Sequence, residues 1–274
     1  MKIAEIKELL ANNPNEELLA ELAKDGRSGV QKLVAVYYKK QQAEQAERER
    51  FAKMLMYENN CYNEGAQFVA GVDEAGRGPL GRALVFAAVG AVILPQNVFI
   101  KGLNDSKKLT AAKREQLYGE ILEKALAVSV NIVSVYNIDK LNIYRATQEG
   151  MAQVLESLKI RPQAALIDAM PVQAGNIKTY SLIHGDALSA SIAAASVIAK
   201  VTRDRMMEQL AAEYPQYGWA HNKGYGSAEH MQAVLEYGAT SWHRRSYEPV
   251  KSMHLPPAEP VPNKIIRLPE EADG

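Results

Sequence analysis

Residues 71–81 read Gly71-Val72-Asp73-Glu74-Ala75-Gly76-Arg77-Gly78-Pro79-Leu80-Gly81, an apolar run closed by two acids and a glycine-rich turn. The residues leading into it, Gln67 to Asp73, and those after it, Leu84 to Leu94, are rich in Val, Ile, Ala and Phe, as strands are. With Gly, Pro and Gly between them, the two runs read as a hairpin. The turn also contains a literal G-x-G-x-x-G, the pattern of a dinucleotide-binding loop, and three features reject that reading. Pro79 lies inside it, the residues that follow are strand-like rather than a phosphate-capping helix, and no acid stands about 20 residues further on to hold a ribose.

What the run does carry is Asp73 and Glu74 at the end of an apolar strand. Strand side chains alternate, so both acids serve one site only if the chain leaves strand geometry there, and Gly76 permits such a turn. Adjacent carboxylates repel each other. A divalent cation relieves this, and oxygen-only ligation selects Mg²⁺ or Mn²⁺ over softer metals. The alternative is a pair of solvated acids in a turn. Asp168 closes a second apolar run, Ala164-Ala165-Leu166-Ile167, and Asp186 follows Ile183-His184-Gly185 where a long helix opens. Asp at a helix start is also an ordinary N-cap, stabilising by about 1 kcal/mol. Taken singly, each acid reads as structural. Together the four stand at strand or helix ends, where an α/β sheet presents its site, and such a cluster can hold two metal ions for in-line phosphoryl displacement.

Working outward, residues 1–64 show only helical spacing: Ile3, Ile6, Leu9 and Leu10, then Leu18, Leu19 and Leu22, then a long third helix with Val30, Leu33, Val34 and Tyr37 on one stripe. The first helix closes at Asn13-Pro14. Lys39 to Arg50 is almost wholly charged or Gln, a solvated face or a surface for a partner. Residues 1–69 hold 10 Lys/Arg and 11 Asp/Glu, so this segment is no basic arm. Beyond the hairpin the pattern predicts a capped helix from Thr110 to Lys124, a strand from Leu126 to Val135, one helix from Asn137 to Leu158, strands Ala164 to Asp168 and Ile177 to Ile183, and one long helix from Ala187 to Tyr214. Ser189, Ala190, Ala193, Ala194 and Ser196 suit close packing of that helix on a sheet. Antiparallel neighbours followed by alternating strands and helices predict a mixed α/β sheet covered on both faces. From Pro249 the chain is proline-rich, with Pro256, Pro257, Pro260 and Pro262, and an extended or flexible tail is expected over 249–274. The expected organisation is a helical segment 1–64, a catalytic domain 65–248 and that tail.

The chain has 274 residues, 32 basic and 32 acidic side chains, and one cysteine. That length can bury a large core. A lone Cys61 forms neither an internal disulfide nor a Cys-based zinc site, and with no leader-like start the expected compartment is the cytoplasm. The apolar stretch from Ala83 to Leu94 is too short to span a bilayer, and no membrane association is expected. Zero net charge argues at first against a nucleic-acid partner. Setting aside the four clustered acids, which metal ions would neutralise, leaves a surplus of four positive charges.

The ordered set DEAGRG at 73–78, DSKKL at 105–109, LIDA at 166–169, HGD at 184–186, SIAAASVIAKVTRDR at 191–205 and NKGYGS at 222–227 resembles the bacterial ribonuclease HII family over roughly residues 66 to 248. The resemblance implies a ribonuclease H-like mixed five-stranded sheet flanked by helices, with a small helical N-terminal extension that adds substrate grip. It implies a monomeric, Mg²⁺- or Mn²⁺-dependent endoribonuclease that cuts the RNA strand of RNA/DNA hybrids and cuts 5′ of single ribonucleotides in duplex DNA. By the same resemblance Asp73, Glu74, Asp168 and Asp186 are the catalytic metal ligands of a two-metal site. One ion would activate water and the other stabilise the leaving 3′-oxygen, leaving a 5′-phosphate. Gly76, Arg77 and Gly78 match a loop whose backbone reads the ribose 2′-OH, and Tyr225 a tyrosine that stacks at the RNA–DNA junction. Glycine at 76 and 78 lets backbone approach a sugar closely enough to sense one hydroxyl. Ser106, Lys107 and Lys108 precede a capped helix and could grip a phosphate, or form a solvated basic turn. His184 stands beside Asp186 without counting as a ligand. The sister ribonuclease HIII family and a catalytically silent hybrid-binding module are the rivals. A helical rather than sheet-forming N-terminal segment and a GRG loop oppose the first, and the presence of all four carboxylates opposes the second.

Overall fold

The structure is a computed structural model that describes residues 1–12, 14–78 and 84–269. Asn13 and the Pro79 to Gly81 part of the hairpin turn lie outside the described residues. The chain divides into two units, Met1–Ala52 and Lys53–Gly274. In the first, α1 (Ile3–Ala11), α2 (Glu16–Lys24) and most of α3 (Ser28–Met54) bury Ile6, Leu10, Leu22, Val30 and Val34 together, from the stripes read in the sequence, while Ile3 and Leu9 of the first stripe stay exposed. Asn15 caps α2 by accepting from the Leu18 N–H at 2.9 Å.

The second unit begins with α4 (Met56–Asn63), whose Cys61 is buried with Val69, Ala164, Leu166 and Ile192. Its buried side chains place α4 with the sheet, inside the second unit that starts at Lys53. Strands β1 (Val69–Ala75) and β2 (Ala87–Ile93) pair antiparallel, with Gly71 opposite Val92 and Asp73 opposite Gly90. After α5 (Ala111–Lys124), capped by Thr110 as expected, β3 (Ala127–Val133) adds antiparallel to β2. Two helices follow, α6 (Val135–Leu141) and α7 (Ile143–Ser157), then β4 (Ala164–Asp168) and β5 (Lys178–Leu182), both parallel to β1. The remaining elements are α8 (Gly185–Leu188), α9 (Ala190–Glu213), α10 (Trp219–Asn222), α11 (Ala228–Tyr237) and β6 (Lys264–Leu268). The sheet order is β5-β4-β1-β2-β3-β6.

Strand alternation sorts the core. Ala70, Val72, Val89 and Ala91 pack with Met151, Val154 and Leu155 of α7 on one face, and α9 covers the other. Helix α9 lies unusually close. A Cβ at Gly71 would fall 2.0 Å from the Ser191 backbone, and one at Gly90 would fall 2.6 Å from the Ala195 carbonyl oxygen. Glycines in β1 and β2 and alanines in α9 are what admit this approach, as the small residues suggested.

The mixed sheet and flanking helices agree with expectation, and three details differ. The sheet has six strands instead of five, because Lys264–Leu268 in the proline-rich tail pairs with β3. The helix expected over 137–158 is broken at Asn142, which sits at φ 70° and caps α7 through its side chain to the Arg145 N–H. The long helix starts at Ala190, not 187. Its N-cap is Ser189, whose hydroxyl accepts from the Ile192 N–H at 3.2 Å, so Asp186 is not that cap.

Candidate active site

Register alone begins to build the site. Val69 is level with Ala164 and Gly71 with Leu166, so two residues further the same row, on the face covered by α9, ends in Asp73 and Asp168. The turn after β5 carries Asp186 in on α8. Asp73, Asp168 and Asp186 each present a carboxylate oxygen within 4.8 Å of the others. Asp73 and Asp186 are buried and Asp168 is half-buried, anchored by the Gly185 N–H, which donates to its Oδ1 at 2.7 Å.

Glu74 is placed differently. The chain keeps strand geometry through Ala75, contrary to the turn expected after Asp73, so Glu74 lies on the opposite face and outside that group of three. Its N–H donates to Asp73 Oδ1 at 2.7 Å, and its Oε1 lies 3.6 Å from Arg77 Nη1. It still lines the same cleft as Asp73.

Electrostatics follow from this crowding. Burial, then the charges of Glu74 and Asp168, push the Asp73 carboxyl well above its ordinary value. Burial raises Glu74 too, with Arg77 opposing, and burial and the Asp186 charge raise Asp168. Lys107 is the local counter-charge, its Nζ donating to Asp186 Oδ2 at 3.1 Å. Burial works against the ammonium, but the bond to Asp186 together with the charges of Asp186, Asp73 and Asp105 outweighs it and holds Lys107 above its ordinary value.

Asp73 and Glu74 line a cleft of about 420 Å³ together with Gly76, Arg77, Gly78, Ser106, Lys107, Tyr225, Ile143 and Lys200. Gly76 and Gly78 adopt φ of 90° and 75°, a region that side chains disfavour. Ser106 is buried and hydrogen-bonded, hydroxyl to hydroxyl, with Ser196 at 2.6 Å, which fixes the loop to α9. Lys108 is exposed and His184 stands exposed before α8. Tyr225 lies with its ring centroid 5.7 Å from Lys200 Nζ and 4.9 Å from Arg203 Cζ. Lys200 and Arg203 went unread in the sequence, although Ser196, Lys200 and Arg203 share the i, i+4, i+7 spacing of one helix face.

Residues 70–250 match the family model described as ribonuclease HII, and residues 2–62 match that of the ribonuclease HII N-terminal domain. The chain belongs to the ribonuclease HII family. The ribonuclease HII of Bacillus anthracis is 50% identical over 232 residues, covering 85% of this chain and 89% of its own. That of Bacillus cereus strain ATCC 14579 is 48% identical over 255 residues, covering 92% and 98%. Among solved structures, the ribonuclease H2 of Pyrococcus horikoshii OT3 aligns at a TM-score of 0.57 and 28% identity, over 68% of this chain and 97% of its own. The ribonuclease HII of Archaeoglobus fulgidus, solved in complex with PCNA, gives 0.53 and 26%, over 66% and 95%. Membership of the ribonuclease HII family makes this chain a hydrolytic endonuclease for RNA/DNA hybrids. Among the described residues no helix is long and apolar enough to cross a membrane.

Proposed function

We propose that this ribonuclease HII depends on a divalent cation, Mg²⁺ or Mn²⁺, and that besides the RNA strand of hybrids it cuts duplex DNA on the 5′ side of a single embedded ribonucleotide. The products are a 3′-hydroxyl and a 5′-phosphate. The observation that carries this is the convergence of Asp73, Asp168 and Asp186 from three separate segments beside a cleft floored by Gly76 and Gly78.

The residues fit a hard cation. Three mostly buried carboxylates, of which Asp73 and Asp168 have raised proton affinity, are poorly satisfied by one exposed ammonium, and their donors are all oxygen. Asp73, Asp168 and Asp186 would hold the ions, with Glu74 beside them at the strand end. Bound there, two ions would activate water and neutralise charge at the phosphorus. The chain's own groups do the rest. The backbone at Gly76 and Gly78, where no side chain stands in the way, meets the sugar and distinguishes a 2′-OH from a hydrogen. Arg77 and Lys107 present cationic heads at the cleft for phosphate oxygens, and Tyr225 offers an aromatic face to the sugar of the junction nucleotide. We place this work in the bacterial cytoplasm and assign the N-terminal unit to added grip on the duplex.

The test is Asp73→Asn. Cleavage of a single-ribonucleotide duplex in Mg²⁺ is expected to fall by several orders of magnitude while hybrid binding, read by fluorescence anisotropy, stays near that of the unaltered protein. Near-normal cleavage by the variant contradicts the assignment.

A further inference from the structure

Two arginines lie fully buried behind the cleft, and all their described hydrogen bonds run to backbone carbonyls. Arg203, on α9, donates from Nε to the Phe86 carbonyl at 3.2 Å and from Nη1 to that of Lys223 at 2.8 Å. Arg244 donates from Nε to the Val85 carbonyl and from Nη2 to the Gly76 carbonyl, both at 2.7 Å. Arg203 Nη2 and Arg244 Nη1 are buried with no hydrogen-bond partner among the described residues. Burying guanidinium groups without full pairing is costly, and apolar side chains of similar volume are often the more stable choice. Burial accordingly lowers both groups from their ordinary values, Arg244 to about 10. Stability alone does not account for this pair.

Geometry supplies a function. Gly76 rests on Arg203: a Cβ there would fall 2.1 Å from Nε and 2.7 Å from Cδ. The same guanidinium lies 4.9 Å from the Tyr225 ring centroid and bonds the Lys223 carbonyl two residues earlier. Arg244 meanwhile holds the carbonyl of Gly76. A planar fork with five donors can join several carbonyls and stack on a ring at once, which a lysine ammonium cannot.

We propose that Arg203 and Arg244 are positioning residues that fix the Gly76–Gly78 backbone relative to the Tyr225 ring, and so set how sharply the enzyme tells a ribose from a deoxyribose. The proposal rests on the reading of Gly76–Gly78 and Tyr225 given above. Neither guanidinium bonds Asp73, Asp168 or Asp186, so loosening the brace acts on recognition more than on the chemical step.

The experiment uses the full chain in Mg²⁺. KM and kcat are measured on a duplex with one ribonucleotide, and the inhibition constant of the all-DNA duplex of the same sequence is measured as competitor. The ratio of that constant to KM is the discrimination. Arg203→Lys and Arg244→Lys are each expected to raise KM about tenfold, equivalent to about 1.4 kcal/mol, with kcat falling less than threefold and the inhibition constant unchanged. Each variant is assayed well below its own melting midpoint. The two approach Gly76 from different sides, so if one is insoluble the other carries the test. A large ratio in the unaltered protein that persists in the soluble variants overturns the brace, as does a parallel rise of KM and the inhibition constant. A ratio near one in the unaltered protein instead overturns the reading of the loop on which the proposal rests.

Discussion

Gly71→Ala adds one methyl group at the point where β1 and α9 touch. The new Cβ would sit 2.0 Å from the Ser191 carbonyl carbon and 2.3 Å from both the Ser191 oxygen and the Ile192 nitrogen. Non-bonded carbons rest about 3.5–4.0 Å apart, so the local separation must grow by roughly 1.5 Å. The obstacle is the backbone of a 24-residue helix whose facing residues, Ile192 to Ala195, are fully buried, so no side chain can swing aside. Overpacking of this kind costs about 1–3 kcal/mol, and a backbone obstacle puts the site at the upper end. At about 2–4 °C per kcal/mol for a unit of this size, the melting midpoint should fall by roughly 6–12 °C. Gly119→Ala is the matched control. It lies inside α5 with nothing within 4 Å of its new Cβ, so it should stabilise by up to about 1 kcal/mol through helix propensity. Thermal unfolding followed by circular dichroism reads both. Equal midpoints for Gly71→Ala and the unaltered protein would refute the close-packing argument.

Asp73→Asn should change stability with pH in a defined sense. Because the folded Asp73 has a raised proton affinity, its contribution is fully present below the unfolded value near 3.8 and is lost as pH rises through the folded value. In EDTA the variant's midpoint should therefore exceed the parent's increasingly between pH 4 and 8. Mg²⁺ should close or reverse that gap, and a gap that does not grow with pH counts against the crowded-carboxylate account. Truncation separates the two boundaries. Removing residues 1–64 strips Cys61 from the sheet and Glu58 from Ser189 and Ser191, which removing 1–52 leaves in place, so the longer truncation should melt several degrees below the shorter. Equal midpoints for the two truncations would contradict the packing of α4. If the N-terminal unit grips the duplex, the 1–52 truncation should also raise KM at unchanged kcat, and an unchanged KM refutes that role.

Local signals made much of this molecule legible. The Val- and Ala-rich runs around Asp73 announced β1 and β2, Thr110 announced the start of α5, and lone acids at the ends of apolar runs gave Asp73 and Asp168. Where the outcome depended on distant partners, the sequence was silent. Asn142 breaks its helix by adopting a left-handed φ that nothing in its polar surroundings signals. Ser189 interrupts a run free of Gly and Pro because its hydroxyl both caps α9 and donates to Glu58 at 2.6 Å. Lys264–Leu268 alternates weakly, and only pairing with β3 makes it a strand. Nothing local in the sequence marks Arg203 and Arg244 as buried, since the carbonyls that hold them come from residues far away in the chain. Glu74 lies outside the close group of three because β1 runs on to Ala75 and alternation turns it to the other face, yet it still lines the cleft beside Asp73.

The central claim is that a carboxylate cluster beside a ribose-reading loop makes this chain a metal-dependent nuclease directed at ribonucleotides. Its most direct test is to incubate the protein with a labelled DNA duplex carrying one ribonucleotide, in Mg²⁺, in Mn²⁺ and in EDTA, and to map the ends. The account predicts one cut on the 5′ side of the ribonucleotide, with a 3′-hydroxyl and a 5′-phosphate, in at least one of the metals and none in EDTA. Cleavage in EDTA, equal cleavage of the all-DNA duplex, or no cleavage in either metal would contradict it.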